Sequence, residues 1–262
     1  MLLAWKAQGI FTLAGYILGF PNDTPASIRR DIEIIQRELP LDVCEFFCLT
    51  PLPGSEDHQT LWRKGIDMDP DLNNYDIEHV CTDHPNMTRQ EWTAIYEEAW
   101  GLYYSKEHMR TLLRRTAATG AKLSSMVKLL VTFSLSNRLE NVHPIQVGIL
   151  RRRHPSERRP GLAPEPALLF WPRLAWETTR KTCAILSSFA WLTKEAIKAA
   201  RASDRYSYVD QALTPVHDDD DETLDLMTKT SGARAAVAHI KRVDELTHAF
   251  AAKPVVGQQR TA

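Results

Sequence analysis

The 262-residue chain has few cysteines, no marked excess of charge of either sign and no long uncharged apolar run. Four cysteines in a chain of this length do not form the disulfide framework that is typical of small secreted domains, so we expect a reducing compartment and a cytoplasmic protein. A net charge of −1 excludes a general attraction to nucleic acid or anionic membranes. Residues 1–9 lack the apolar core of a signal peptide. Residues 167–192 carry four charges, so we predict no membrane span.

What is present begins with an alternation of apolar segments and turn signals. Residues 10–20 are apolar and rich in β-forming residues, which predicts a strand. Asp23 or Thr24 then caps a predicted helix whose apolar side chains recur every three or four residues. A nearly continuous apolar run over 43–50 predicts a second strand, buried on both faces, and residues 55–64 predict a short helix. The fold class is therefore α/β.

The strand–helix–strand order favours two parallel strands joined by a right-handed crossover. Two strands leave open sheet edges, so we expect the isolated chain to be prone to aggregation. Residues 1–9 resemble the end of a helix that would follow an earlier strand. We therefore expect the chain to begin inside a domain, as a fragment, a truncated product or one part of a split enzyme.

The remainder of the chain is predicted to be mainly helical. Residues 67–86 form a polar loop, and Thr88 with Glu91 matches a capping box at the start of a helix with an aromatic stripe. This stripe is typical of core packing. Further helices are predicted over 105–119, 122–137 and 165–200, the last broken near Pro172. We expect three parts, which are an α/β part over 1–120, a helical extension over 121–248 and a flexible tail over 249–262.

Two polar clusters suggest sites. His79, Cys81 and His84 lie within six residues, but they lack a fourth metal ligand, so we favour exposed or hydrogen-bonded histidines over a metal site. A substrate-facing role for this loop is the alternative. The basic residues of Arg151–Arg159 suggest a nucleic-acid contact as a further alternative. No aromatic residues for base stacking lie among them, so we favour a solvated surface or pairing with the acidic run 218–222.

Two motifs resemble those of the radical SAM enzymes, most closely the branch that often carries a cobalamin-binding domain. Residues 15–24 read Gly-Tyr-Ile-Leu-Gly-Phe-Pro-Asn-Asp-Thr, which is similar to a late barrel strand and turn of that superfamily. Residues 49–55 read Leu-Thr-Pro-Leu-Pro-Gly-Ser, which is similar to the end of a later strand. Downstream residues resemble the C-terminal extension of one subgroup: Asn74–Asp76, His79, 84–87, Tyr103, Tyr104, His108, His143, Pro144, 158–160 and 170–173.

The resemblance implies a partial (β/α)6 barrel of which this chain holds about the last two strands. It also implies S-adenosylmethionine and a [4Fe–4S] cluster as cofactors, with cobalamin as an option and an unidentified small-molecule substrate. Gly15, Ile17 and Gly19 would then face S-adenosylmethionine, since glycine lets a ligand approach the backbone closely. The alternative is that both glycines make room for helix packing.

The chain departs from this family at the cluster. The three-cysteine motif Cys-x-x-x-Cys-x-x-Cys is missing from the sequence, and Cys44 and Cys48 are predicted to be buried in a strand rather than to bind iron. We therefore expect the chain not to generate a radical alone, and we expect an N-terminal half or upstream domain to carry the cluster. The alternative from another class is a non-catalytic helical interaction module or a remnant.

Overall fold

Two parallel strands joined by a helix form the centre of the fold. A computed structural model describes residues 2–140, 142–144, 154–155, 161–163 and 165–214, which all belong to the unit Met1–Thr214. The elements within these ranges, in chain order, are α1 Leu2–Ala7, β1 Leu13–Leu18, α2 Pro25–Glu38, β2 Val43–Cys48, α3 Glu56–Arg63, α4 Arg89–Tyr103, α5 Lys106–Ala118, α6 Leu123–Glu140 and α7 Ala167–Arg201, with short 3-10 turns at Leu72–Asn74 and Gln211–Leu213.

The local sequence explains why the first crossover forms. The Thr24 hydroxyl accepts a hydrogen bond from the Ser27 backbone and the Ser27 side chain accepts one from the Thr24 backbone, so α2 begins with a capping box. Its apolar face buries Ile28 and Ile32. The strands pair in parallel from Leu13 opposite Val43 to Leu18 opposite Cys48, as the sequence pattern predicts.

One face of the two-stranded sheet is covered by α2 and α4. Phe46 packs edge-on against Trp100 with ring centroids 5.3 Å apart, and the predicted aromatic stripe of α4 is buried. The Thr88–Glu91 capping box is also present at the start of α4. Successive side chains of a strand point to opposite faces, so the other face carries Leu13, Gly15 and Ile17 from β1.

The helical layer differs from the sequence-based expectation at Pro172. The predicted break there is wrong, because α7 runs without interruption from Ala167 to Arg201. Pro172 lies in the second turn, where its ring removes a single backbone donor, and the long segment that follows keeps its own hydrogen bonds and packs against α5 and α6. Trp191 of α7 lies 5.4 Å from the guanidinium of Arg110 on α5.

The described chain is thus a mixed α/β structure that is mostly helical and contains two parallel strands. The predicted boundary at residue 120 falls between α5 and α6, which pack against each other. The loop over 67–86 is ordered, with an antiparallel bridge between Met68 and Thr82. Across the described ranges, no helix combines the length and the apolar character that a membrane crossing requires.

A buried ion pair fixes α1 at the start of the sheet. Lys6 and Asp42 are both almost fully buried, and the Lys6 ammonium donates to Asp42 Oδ1. The second oxygen, Oδ2, accepts the backbone N–H of Thr12 at 2.8 Å, and the Thr12 hydroxyl donates to the Pro40 carbonyl at 2.7 Å. All of these buried polar groups are therefore satisfied, which burial of charge requires.

The outer edge of β2 is covered by the rest of the chain. The Tyr104 hydroxyl donates to the Cys44 carbonyl at 2.9 Å and accepts from the Cys44 N–H at 3.3 Å. Farther along the strand, the Cys48 N–H donates to the carbonyl of Ile77 at 2.8 Å. These groups occupy the backbone positions that a further strand would need.

Replacing Tyr104 by phenylalanine tests this covering. The substitution removes both hydrogen bonds and leaves two buried backbone groups unpaired, so we expect the free energy of unfolding to fall by about 1–3 kcal/mol. Urea denaturation followed by circular dichroism measures the change. Tyr206→Phe is the control, since Tyr206 is exposed and its replacement should leave stability unchanged. Equal stability of Tyr104→Phe and the parent chain would contradict the assigned contact.

Candidate functional site

The free face of β1 holds Gly15 and Ile17, two of the three residues that the family resemblance implies for the cofactor, whereas Gly19 lies in the turn after the strand. Leu13 and Ile17 are 56% and 43% exposed, and Gly15 lies between them on the same face. Glu45 and Phe47 of β2 share this face, because Gly15 pairs with Glu45 and Ile17 with Phe47. The exposed part of this face is therefore apolar, and Glu45 lies buried beside the glycine.

Gly15 makes room for an aromatic ring of the neighbouring strand. A Cβ atom added there would lie 2.6 Å from Cε2 of Phe47, which is closer than carbon atoms approach without displacement. The Phe47 ring stacks on His143 with centroids 4.7 Å apart. The packing of this chain thus accounts for Gly15 without a ligand.

Gly19 has a packing role too, and it has a backbone role. Its φ angle is +105°, in the region that favours glycine, and an added Cβ would lie 1.8 Å from Cζ2 of Trp92 on α4. The backbone N–H groups of Gly19 and Phe20 both donate to Asp23 Oδ2, at 2.8 and 2.9 Å. The Asp23 side chain consequently holds the turn after β1, and Gly19 packs directly against the Trp92 ring.

The same turn is held by the loop that packs against it. His84 Nε2 lies 2.8 Å from the Phe20 carbonyl, which can only accept, so Nε2 carries the hydrogen. The Asn86 amide donates to the carbonyl of Pro21 at 2.9 Å. His84 therefore has a structural partner and is not directed at a metal.

Glu45 is the functional candidate that the sequence reasoning missed. It is 4% exposed, and burial raises the pKa of its carboxyl above the ordinary value. Its side chain makes no hydrogen bond or ion pair with another residue of the described ranges. The sequence did contain a signal for this residue, since Glu45 is the one charged residue within the apolar strand 43–48. Burial of a carboxyl without a partner is costly, so such a residue is a candidate for a functional role.

The backbone edge of β1 is open in the described part of the chain. The carbonyls of Thr12 and Leu18 accept hydrogen bonds from Val43 and Leu49, so the even-numbered residues of β1 face β2. Leu13, Gly15 and Ile17 therefore direct their N–H and C=O groups to the other side, where no described residue bonds to them. This edge can accept a further strand.

The cysteine and histidine residues do not converge on a metal site. Burial raises the pKa of the Cys44 and Cys81 thiols to about 12 and that of Cys48 further, so the thiols stay protonated. His79 pairs with Asp76 at 2.8 Å, apart from His84. Within the part of the chain that the structure describes, no group of three or more such residues could hold a metal ion.

Comparisons of the chain with protein-family models, with curated proteins and with solved structures found no match. The arginines of the basic segment 151–159 lie outside the described residues, which include only His154 and Pro155 of that segment. The acidic run 218–222 also lies outside them.

Proposed function

We propose that this chain contributes a nucleoside-facing strand to a radical SAM enzyme. The observation that carries the proposal is the exposed apolar face of β1, which lies beside an open backbone edge. In such an enzyme, bound S-adenosylmethionine supplies a 5′-deoxyadenosyl radical once the cluster reduces it. The role of this chain is to bind and orient the adenosine part and to exclude water from it.

The exposed residues of the free face suit the purine of an adenosine group. Leu13 and Ile17 offer branched apolar surface to a purine ring, and burial of such surface is favourable by about 25 cal/mol per Å². Glu45 lies on the same face, but it is buried, so its carboxyl is not presented to the ribose. Gly15 contributes less than the resemblance implies, because Phe47 already covers it.

The described residues do not suit the iron–sulfur cluster. A [4Fe–4S] cluster is held by cysteine thiolates, whereas Cys44, Cys48 and Cys81 are buried with raised pKa values and Cys183 stands alone on α7. No chemical step is therefore assigned to this chain. The proposal places the cluster on another polypeptide segment, whose strand would pair with the open edge of β1.

Binding of S-adenosylmethionine to the purified chain tests the proposal. We expect weak but saturable binding in equilibrium dialysis, and Ile17→Asp should weaken it at least tenfold because a charge then faces the purine. Anaerobic reconstitution with iron and sulfide should give no cluster absorption from this chain alone.

The control variant is Leu168→Asp, which places the same charge at an 89% exposed residue of α7 and should not alter binding. If the folded chain shows no saturable binding, or if Ile17→Asp binds as tightly as the parent, the nucleoside proposal fails. That result would favour the non-catalytic interaction module, in which the β1 edge binds a strand of another protein.

A further inference from the structure

A groove of about 630 Å³ lies between α4 and α6, away from the free face of β1. Its lining includes Tyr96, Trp100 and Gly101 of α4, together with His79 of the loop that precedes α4. A cavity of this size accommodates a small organic molecule. The groove shares no residue with the nucleoside-facing surface, so a ligand bound in it is independent of the proposed function.

The floor of the groove is open at one helical position. No atom lies within 4 Å of the position that a Cβ of Gly101 would take, so the space above this residue is empty of protein. The Tyr96 hydroxyl and the Trp100 indole nitrogen are buried beneath this floor, and the indole N–H is directed at the hydroxyl. The groups that can contact a ligand are therefore the charged and polar side chains along the groove.

A histidine in a fixed orientation stands at the rim. His79 Nδ1 lies 2.9 and 2.8 Å from the two carboxylate oxygens of Asp76, and Asp76 Oδ1 also accepts the backbone N–H groups of Glu78 and His79. A carboxylate can only accept, so Nδ1 carries a hydrogen. In the neutral ring, Nε2 is then an acceptor available to a ligand that donates.

The groove also brings together opposite charges from two helices. Glu97 of α4 and Arg138 of α6 both line it, and neither makes an ion pair or a hydrogen bond with another residue that the structure describes. Unpaired groups of opposite sign that line one groove are complementary to a molecule that carries both an ammonium group and a carboxylate.

We propose that this groove binds a small zwitterion of the amino-acid type with an aromatic or apolar side chain. The ammonium group donates to Glu97 and to Nε2 of His79, and the carboxylate pairs with the guanidinium of Arg138. The apolar part lies over Gly101, along the aromatic edges of α4. The two charged groups of the ligand thus determine its recognition through ion pairs and hydrogen bonds, and the space over Gly101 holds its apolar side chain.

Three probes of one shape separate these contributions. Phenylalanine carries both charges, phenethylamine lacks the carboxylate and 3-phenylpropionate lacks the ammonium group. We expect phenylalanine to bind most tightly in isothermal titration or ligand-observed NMR. Glu97→Gln should weaken phenylalanine and phenethylamine at least tenfold and leave 3-phenylpropionate unchanged. Arg138→Gln should weaken phenylalanine and 3-phenylpropionate to the same extent and leave phenethylamine unchanged.

Two substitutions at one position distinguish a blocked groove from a damaged fold. Gly101→Leu should abolish binding of all three probes by filling the floor, whereas Gly101→Ala should keep the fold and raise the midpoint of thermal unfolding, since alanine is the better helix former. Glu107→Gln alters an exposed carboxylate on α5 and should leave every affinity unchanged. The proposal is overturned if none of the probes binds at millimolar concentration, or if the Glu97 and Arg138 variants weaken all three probes equally.

Discussion

Replacing Gly19 by alanine should lower the free energy of unfolding by about 3 kcal/mol or more, since overpacking and backbone strain each cost about 1–3 kcal/mol. The added methyl group would overlap the Trp92 ring, whose Cζ2 lies 1.8 Å from the Cβ position, and the φ angle of +105° is unfavourable for alanine. Trp92 is itself buried, so it has little space to move. Urea denaturation followed by tryptophan fluorescence measures the loss.

Gly54→Ala separates the two contributions. Gly54 also has a positive φ angle, +88°, but no atom lies within 4 Å of its Cβ position. Its replacement should therefore cost only the backbone strain, about 1–2 kcal/mol. Equal losses at Gly19 and Gly54 would show that the turn after β1 does not press against Trp92.

Acidification should destabilise the protein through His108. This side chain is buried on α5 against Tyr103, and burial lowers the pKa of its imidazole to about 3. In the unfolded chain this imidazole has the ordinary histidine pKa of about 6.5. Below that pH the unfolded chain therefore binds a proton at His108 that the folded chain does not bind. Stability is complete above about pH 6.5 and falls as the pH decreases, with a loss of about 2 kcal/mol at pH 5 from this residue alone.

The variant His108→Leu identifies the residue responsible. Leucine cannot take up a proton, so the decrease in stability between pH 7 and pH 5 should become shallower. Burial also lowers the pKa of His143, to about 4, so part of the slope should remain. Leu168→Asn, at an exposed position of α7, removes no titratable group and is the control that should keep the full slope. An unchanged slope in His108→Leu would refute the assignment.

The centre of the fold was predictable because its signals are local. Thr24 and Thr88 cap their helices through side chains three residues away, and strands as apolar as 43–48 have few alternatives to burial. The aromatic stripe of α4 repeats at helical spacing, so its packing against the sheet followed from periodicity. Pro172 misled the prediction, because local propensity suggests a break where tertiary packing keeps one helix.

The candidate sites depend on contacts that no local pattern reveals. Gly15 and Gly19 are prominent in the sequence, but the rings that lie above them, Phe47 and Trp92, are 32 and 73 positions away in the chain. The groove joins His79, Glu97 and Arg138, which come from a loop and two separate helices. The family resemblance therefore pointed to the face of β1, and only the packing of the helices could reveal the groove between α4 and α6.

The Tyr104 hydroxyl and the Ile77 carbonyl, which bond to the outer edge of β2, also set the direction in which this sheet can grow. A strand that joins the described sheet without displacing these groups pairs with β1. A closed ring of strands would require displacement of both groups. Growth of the sheet on the β1 side alone leaves the contacts of Tyr104 and Ile77 intact.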